Sequence, residues 1–251
     1  MRIVSWFSCG AASAVATKIA LETYPQALIV YCDTGSEHPD NKRFLKDCEN
    51  WFGKEIKILR SEKYKDTWDV FERTKYLSGV KGARCTTELK KVLRNEFQQV
   101  DDVQVFGFDA TETKRASKFK DNNPEVILYT PLIDKNISKK ECFKMLQDAG
   151  IKLPAMYLLG YKNNNCIGCV KGQSGYWNKI RKDFPDVFER MAKIERKLNA
   201  AINKSYAGDG KRKRVFLDEL DPTSGRYESE KSIGCGVLCD IGELENEGRE
   251  R

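Results

Sequence analysis

IVSWFSCGAAS, residues 3–13, is an apolar run that breaks into small residues. Ile3–Ser8 reads as a buried strand and Ala12–Thr23 as a helix, so Ser8, Cys9, Gly10, Ala11 and Ser13 fall where a strand feeds a helix. Such a turn is small for one of two reasons. Either the helix packs closely on the strand, or backbone N–H groups must approach an anion at the helix N-terminus. The remainder of the chain decides between them.

Outward from this turn the first half alternates short apolar runs with helical patterns. Strands are expected at Ile3–Ser8, Ala27–Asp33, Ile56–Arg60, Val103–Phe108 and Val126–Leu128, and helices at Ala12–Thr23, Asn41–Phe52, Thr67–Leu77 and Thr87–Gln98. A continuous apolar strand such as ALIVYC (residues 27–32) suits a parallel sheet covered on both faces. The fold class read from this pattern is α/β, a doubly wound parallel sheet. Ser138 and Glu141 form a capping box that opens a helix over Lys139–Ala149, which Gly150 ends.

The second half reads differently. Residues 158–175 (LLGYKNNNCIGCVKGQSG) form a polar, Gly-rich loop, followed by helix from Tyr176 to about Lys204 with a break at Pro185. Residues 221–251 look loosely structured apart from CGVLC. The expected division is an α/β domain over 1–155 and a helical, cysteine-containing extension over 156–251.

The 251 residues are 40% hydrophobic and 32% charged, the balance of a soluble, ordered chain. No apolar run is long enough to cross a membrane, and the N-terminus reads as a strand rather than a leader, so a cytoplasmic location is expected. The net charge of +7, from 44 Lys and Arg against 37 Asp and Glu, serves solubility or a polyanionic partner equally well.

After the second strand comes DTGSEHPD, residues 33–40. Asp33 at the carboxyl end of a parallel strand is placed to accept from ribose hydroxyls or hold a metal ion, or else to form the turn with Thr34 and Gly35. His38 is the single histidine, so no histidine-based triad is proposed, and it is read as a loop hydrogen-bonder.

At this point a resemblance becomes specific. S-x-G-x-x-S after strand one and D-T-G-x-x-H-P-D after strand two resemble the phosphoadenosine phosphosulfate (PAPS) reductase family of the PP-loop group, whose fold is adenine-nucleotide α-hydrolase-like. RCTTELK (84–90), GFDATETKR (107–115), TPLIDKNISKKECFKML (130–146) and YLLGYKNNNCIGC (157–169) resemble further family segments in the family's order. The resemblance implies an adenine nucleotide at Ser8–Ser13 and Asp33–Gly35, with Lys114 and Arg115 neutralising phosphate or sulfate. It also has departures. Where the family's first loop reads SGGKDS, Ala11 and Ala12 replace Lys and Asp, which removes charge that would meet the β- and γ-phosphates. Asp109 stands where the family usually has Arg. Arg84 and Lys90 remain as cations.

Nine cysteines in a cytosolic-looking chain argue for metal or redox chemistry rather than a disulfide framework. Cys32, Cys48 and Cys142 read as inert small hydrophobes. Cys166 and Cys169 make C-x-x-C, and Cys235 and Cys239 make C-x-x-x-C, spacings that place two thiolates on one metal or cluster edge. The resemblance implies a four-iron four-sulfur cluster held by Cys85, Cys166, Cys169 and one of the final pair; a structural zinc is the alternative.

Two functions of different class follow. One is an enzyme acting on an adenine nucleotide, by sulfonucleotide reduction or nucleotide-dependent sulfur transfer. The other is a nucleic-acid-directed, base-modifying or base-excising enzyme that reuses the pocket. There Asp33, Asp109 or Glu112 would act as acid or base, and Lys211–Arg214 would contact a DNA or RNA strand. A non-catalytic nucleotide-binding module with a structural metal is a third reading. Arg115 joins Asp33, Asp109 and Glu112 as a candidate catalytic group, and homo-oligomers are compatible with all three.

Overall fold

The computed structural model describes residues 1–79, 82–206 and 212–234. Its centre is a five-stranded, all-parallel sheet in the order β3-β2-β1-β6-β7, the α/β fold read from the sequence. The strands are β1 (Ile3–Trp6), β2 (Leu28–Cys32), β3 (Ile56–Leu59), β6 (Val103–Val105) and β7 (Ile127–Tyr129). Two hairpins lie apart from it, β4 (Ser78–Gly79) with β5 (Gly82–Ala83), and β8 (Asn203–Tyr206) with β9 (Arg212–Val215).

Helices α1 (Ala11–Thr23), α2 (Asn41–Phe52) and α3 (Thr67–Thr74) fill the first half. Then come α4 (Arg84–Thr86), α5 (Val92–Phe97), α6 (Thr113–Asn122), α7 (Pro131–Asp134), α8 (Lys139–Asp148), α9 (Ala155–Leu158), α10 (Ser174–Asp183) and α11 (Pro185–Leu198). No helix among the described residues is long and apolar enough to cross a membrane.

The period of two in the strands sorts the core into two layers. Ile29 and Tyr31 of β2 join Phe7, Phe44, Leu132 and Leu146 beneath α1, α2, α7 and α8. Val30 and Cys32 join Val4, Trp6, Leu93, Phe106 and Phe119 on the opposite face, under α5 and α6. Phe44, Cys48 and Phe52 recur every four residues in α2, so one stripe of that helix is buried, and Gly53 (φ 65°) ends it in the left-handed region. Two pairs of buried polar side chains meet around the sheet: Ser5 Oγ lies 2.8 Å from Thr17 Oγ1, and Trp6 Nε1 donates to Gln104 Oε1 at 3.1 Å.

The chain leaves β1 towards β2 and β3, then returns to place β6 and β7 on the other side. The switch point is therefore the gap between β1 and β6, whose registers align Ser5 with Val105. At such a point the two carboxyl-end loops splay apart and leave a crevice.

Several boundaries differ from the sequence expectation, each for a local reason. α3 stops at Thr74 rather than Leu77 because Lys75 turns left-handed (φ 52°). The expected helix over Thr87–Gln98 begins at Arg84 and contains a π-helical stretch, Thr87–Lys91, an extra residue that an apolar period does not reveal. The second long helix ends at Leu198, where Asn199 is left-handed (φ 48°), and the chain then enters β8.

The described part of 221–251 is not loose. Tyr227 Oη accepts from Lys162 N at 2.7 Å, and the Glu230 carboxylate accepts from Gly175 N and Tyr176 N at the start of α10. This segment packs beside a second apolar cluster built on Trp68, Phe71, Tyr161, Tyr176, Trp177 and Met191.

Candidate functional site

A cavity of about 380 Å³ opens at the switch point. Its walls come from five places: Trp6, Ser8, Gly10, Ala12 and Ser13 at and after β1; Lys90; Phe106–Asp109, Thr111, Glu112 and Arg115 after β6; Lys139 and Tyr157; and Asn163–Asn165 with Ser232–Gly234. The volume is that of a small-molecule site.

The first loop is tied by Ser13, whose Oγ accepts from Ser8 N (3.0 Å), Ser8 Oγ (3.0 Å) and Gly10 N (3.3 Å) and donates to Gly10 O (2.9 Å). Cys9 adopts φ 58°, a conformation uncommon for a residue with a side chain. Its thiol turns into the core, donating to Asn41 O at 3.7 Å, and burial raises its pKa well above the ordinary value. Cys9 and the buried Ala11 therefore contribute backbone rather than side chain here. The first turn of α1 carries no acidic residue, so its positive dipole end meets the cavity unopposed. Gly107 makes the fit possible: a Cβ there would lie 2.6 Å from Ser13 Cα.

The other wall is charged. Asp109 Oδ1 accepts from Thr111 N (2.8 Å) and Thr111 Oγ1 (2.6 Å), capping a short 3₁₀ turn over Ala110–Glu112. Glu112 pairs with Arg115 at 2.6 Å, and the guanidinium lies 5.5 Å from the centre of the Phe108 ring. Lys114 is exposed on α6 and stands outside the lining.

The second loop is placed differently from the sequence expectation's emphasis. Asp33 accepts from Gly35 N at 2.9 Å and pairs with Arg60 at 2.7 Å, while Gly35 (φ 66°) forms a turn in which a Cβ would meet Lys65 O at 2.4 Å. Asp33, Thr34 and Gly35 do not line the cavity. Thr34 is buried, its Oγ1 3.0 Å from Cys166 Sγ. His38 Nδ1 accepts from Asp40 N at 3.1 Å, a hydrogen bond within the loop.

Beneath the cavity runs a buried polar network that no motif disclosed. Tyr31 Oη and Asn41 Nδ2 donate to Glu37 at 2.5 and 2.7 Å, and Lys90 Nζ, aimed inward from the π-helical stretch, lies 3.9 Å from the same carboxylate. Burial pushes the Glu37 carboxyl up, opposed first by Lys90. Asn164 Nδ2 donates to Cys9 O (2.6 Å) and Asn41 Oδ1 (2.8 Å), joining the network to the first loop. Asn164 Oδ1 is buried without a partner among the described residues. Lys139, Tyr157 and Asn163–Asn165 were not among the sequence candidates, because a lysine in a helix's first turn and a run of asparagines both read as solvated.

The cysteines divide as expected in part. Cys32, Cys48 and Cys142 are buried, and burial raises the Cys32 thiol to about 11 and the Cys142 thiol to about 12, which keeps both protonated. Cys166 and Cys169 are buried on the turn before α10, where Gly168 N and Cys169 N donate to Tyr176 Oη at 3.1 and 2.9 Å. Cys85, on α4, packs against the apolar cluster that includes Cys169. Among the described residues, no three His, Cys, Asp or Glu side chains are grouped to hold a metal ion. Cys235 and Cys239 lie outside the described residues.

Lys211 also lies outside them. Arg212, Lys213 and Arg214 fall on β9, and Arg214 donates to Ala201 O at 2.5 Å.

No curated protein matches the chain in sequence. A model of the phosphoadenosine phosphosulfate reductase domain matches residues 2–175, well over half of the chain and all of the parallel sheet. The parallel sheet, the cavity at its switch point and this match agree: the chain belongs to the phosphoadenosine phosphosulfate reductase domain family.

Proposed function

We propose that the protein is an enzyme acting on an adenine nucleotide, by sulfonucleotide reduction or nucleotide-dependent sulfur transfer. The observation that carries this reading is the cavity itself. A tied first loop and the N-terminus of α1 face Arg115 and Lys139 across a space of about 380 Å³, walled by Trp6, Phe106, Phe108 and Tyr157. Cations and a helix N-terminus suit phosphate or sulfate, and aromatic walls suit a base. The unpartnered Asn164 Oδ1 supports it too, as an acceptor for a ligand N–H or O–H.

In this reading Ser8–Ser13 hold the anionic part of the nucleotide through backbone donors. Arg115, braced by Glu112 and by the Phe108 ring, adds charge at the mouth. Asp33 shapes the neighbouring loop through Gly35 and Arg60 rather than touching the ligand.

The iron–sulfur part rests on the C-x-x-C spacing, on Cys85 packing against the apolar cluster that holds Cys169, and on a further thiol from Cys235 or Cys239. Such a cluster supplies electron-transfer or electrostatic chemistry when bound, and a structural zinc would use the same thiols. Iron and acid-labile sulfide in anaerobically purified protein, lost in Cys166→Ser, support the cluster; stoichiometric zinc in its place overturns it.

Calorimetric titration of that protein with ATP, adenosine 5′-phosphosulfate and 3′-phosphoadenosine 5′-phosphosulfate tests the nucleotide reading. Saturable binding of one of them, lost in Ser13→Ala, is the expected result. If none binds while a DNA or RNA oligonucleotide does, the nucleic-acid-directed reading replaces this one.

A further inference from the structure

The first loop has no charged side chain, yet its partner across the cavity is a lysine from a different part of the chain. Lys139 occupies the first position of α8, next to the Ser138 cap. Its ammonium lies 5.4 Å from the centre of the Tyr157 ring, and Tyr157 Oη accepts from Ala11 N at 3.4 Å. One tyrosine thus spans the distance from the Lys139 ammonium to Ala11 in the first loop.

This is an unfavourable place for a positive charge. The first turn of a helix has the positive end of its dipole, and burial lowers the Lys139 pKa from the ordinary lysine value. The neighbouring Lys140 is exposed, as a lysine here ordinarily would be. Instead Lys139 is held in the cavity wall by two uncharged oxygens, Lys162 O at 2.5 Å and Asn163 Oδ1 at 2.6 Å. An ammonium has three donors, which leaves one for a ligand.

Lys139 also faces the acidic wall. Glu112 and Asp109 face it and favour its charge, while Arg115 opposes it. Glu112 is paired with Arg115, whereas Asp109 accepts from the uncharged Thr111. A further group beside it, the buried Cys142 thiol, is protonated.

We propose that Lys139 is an anion-binding cation of this cavity, alongside Arg115, supplying from α8 to a phosphate or sulfate group positive charge that the first loop lacks. The proposal rests on the nucleotide reading above and adds to it a residue that reads the anion.

The test is calorimetry on the full chain, as the parent protein, Lys139→Met and Lys139→Arg, with adenosine, adenosine 5′-phosphosulfate and inorganic pyrophosphate. The expected result for Lys139→Met is a roughly tenfold or greater loss of affinity for the phosphosulfate and unchanged adenosine binding, with Lys139→Arg within about threefold of the parent. Equal loss for adenosine and the phosphosulfate, with a lowered Tm, means Lys139 only fastens residues 162–163 and overturns the proposal. So does phosphosulfate affinity unchanged in Lys139→Met. If the parent binds pyrophosphate but neither adenine compound, nor ATP nor 3′-phosphoadenosine 5′-phosphosulfate, and Lys139→Met weakens the pyrophosphate, the anion site stands and the nucleotide reading falls. A parent that binds none of these overturns both.

Discussion

Gly107 shows how much of the site depends on a missing side chain. A Cβ at this position would lie 2.6 Å from Ser13 Cα and 2.7 Å from Ser13 N, and backbone atoms at that distance have no rotamer by which to give way. Gly107→Ala is therefore expected to push the first loop off the end of β6. The predicted cost is about 1–3 kcal/mol of stability, the usual range for overpacking a close contact. Urea unfolding measures that cost, and calorimetry is expected to show nucleotide affinity falling with it. A variant as stable as the parent, binding as tightly, would mean that the two loops are less closely apposed than the structure has them. In the sequence, GFDATETKR carried a family likeness but gave no hint that its glycine faces Ser13. Cys9 is the converse case: its place in the turn was legible from SCGAAS, whereas the inward thiol follows from its left-handed backbone, which residue identity does not announce.

At the scale of elements, apolar periodicity was enough to find the parallel strands and α1, α2 and α8. It failed where something other than burial sets the structure. The π-helical stretch at Thr87–Lys91 adds a residue to a turn and aims Lys90 inward, and an average over apolar positions is blind to such an insertion. The start of α8 was legible because its cap is written in side chains. Ser138 Oγ accepts from Glu141 N at 3.3 Å, and the Glu141 carboxylate accepts from Ser138 N and Oγ, both at 2.7 Å. Ser138→Ala is expected to destabilise the fold by about 1 kcal/mol, the typical value of an N-cap. The same change loosens the turn that positions Lys139, so phosphosulfate affinity is expected to fall while adenosine affinity holds. Denaturation and calorimetry on one preparation check both parts, and an unaltered stability would show that the cap is replaced by water.

On the scale of the whole molecule, the C-terminal part is fastened by acids that accept from backbone donors, and this explains why it was hard to read. Residues 221–234 offer few apolar side chains, so nothing in their pattern predicts order; Glu230 and Tyr227 fix them through α10 and Lys162. Glu195 does the same for the region around α11. It is fully buried, with one carboxylate oxygen accepting from Ile202 N and the other from Leu217 N, each at 2.6 Å. Burial outweighs those bonds and raises its pKa from the ordinary 4.5 to about 7. The sign of the pH effect follows. Between these two values the folded state holds a proton that the unfolded state has lost, so this group's contribution is full below the lower value and disappears as pH rises through the upper one. Glutamine carries no charge, but only its carbonyl oxygen accepts, so one of the two backbone N–H groups loses its partner. Glu195→Gln is therefore expected to be less stable than the parent near pH ~5, with the deficit shrinking by on the order of 2 kcal/mol as pH rises to ~8. Urea unfolding of both proteins across that range measures the difference, in which titrations common to the two cancel. A constant difference would place the Glu195 pKa at its unfolded value, and the carboxylate would then be stabilised by Ile202 and Leu217 as strongly as by water.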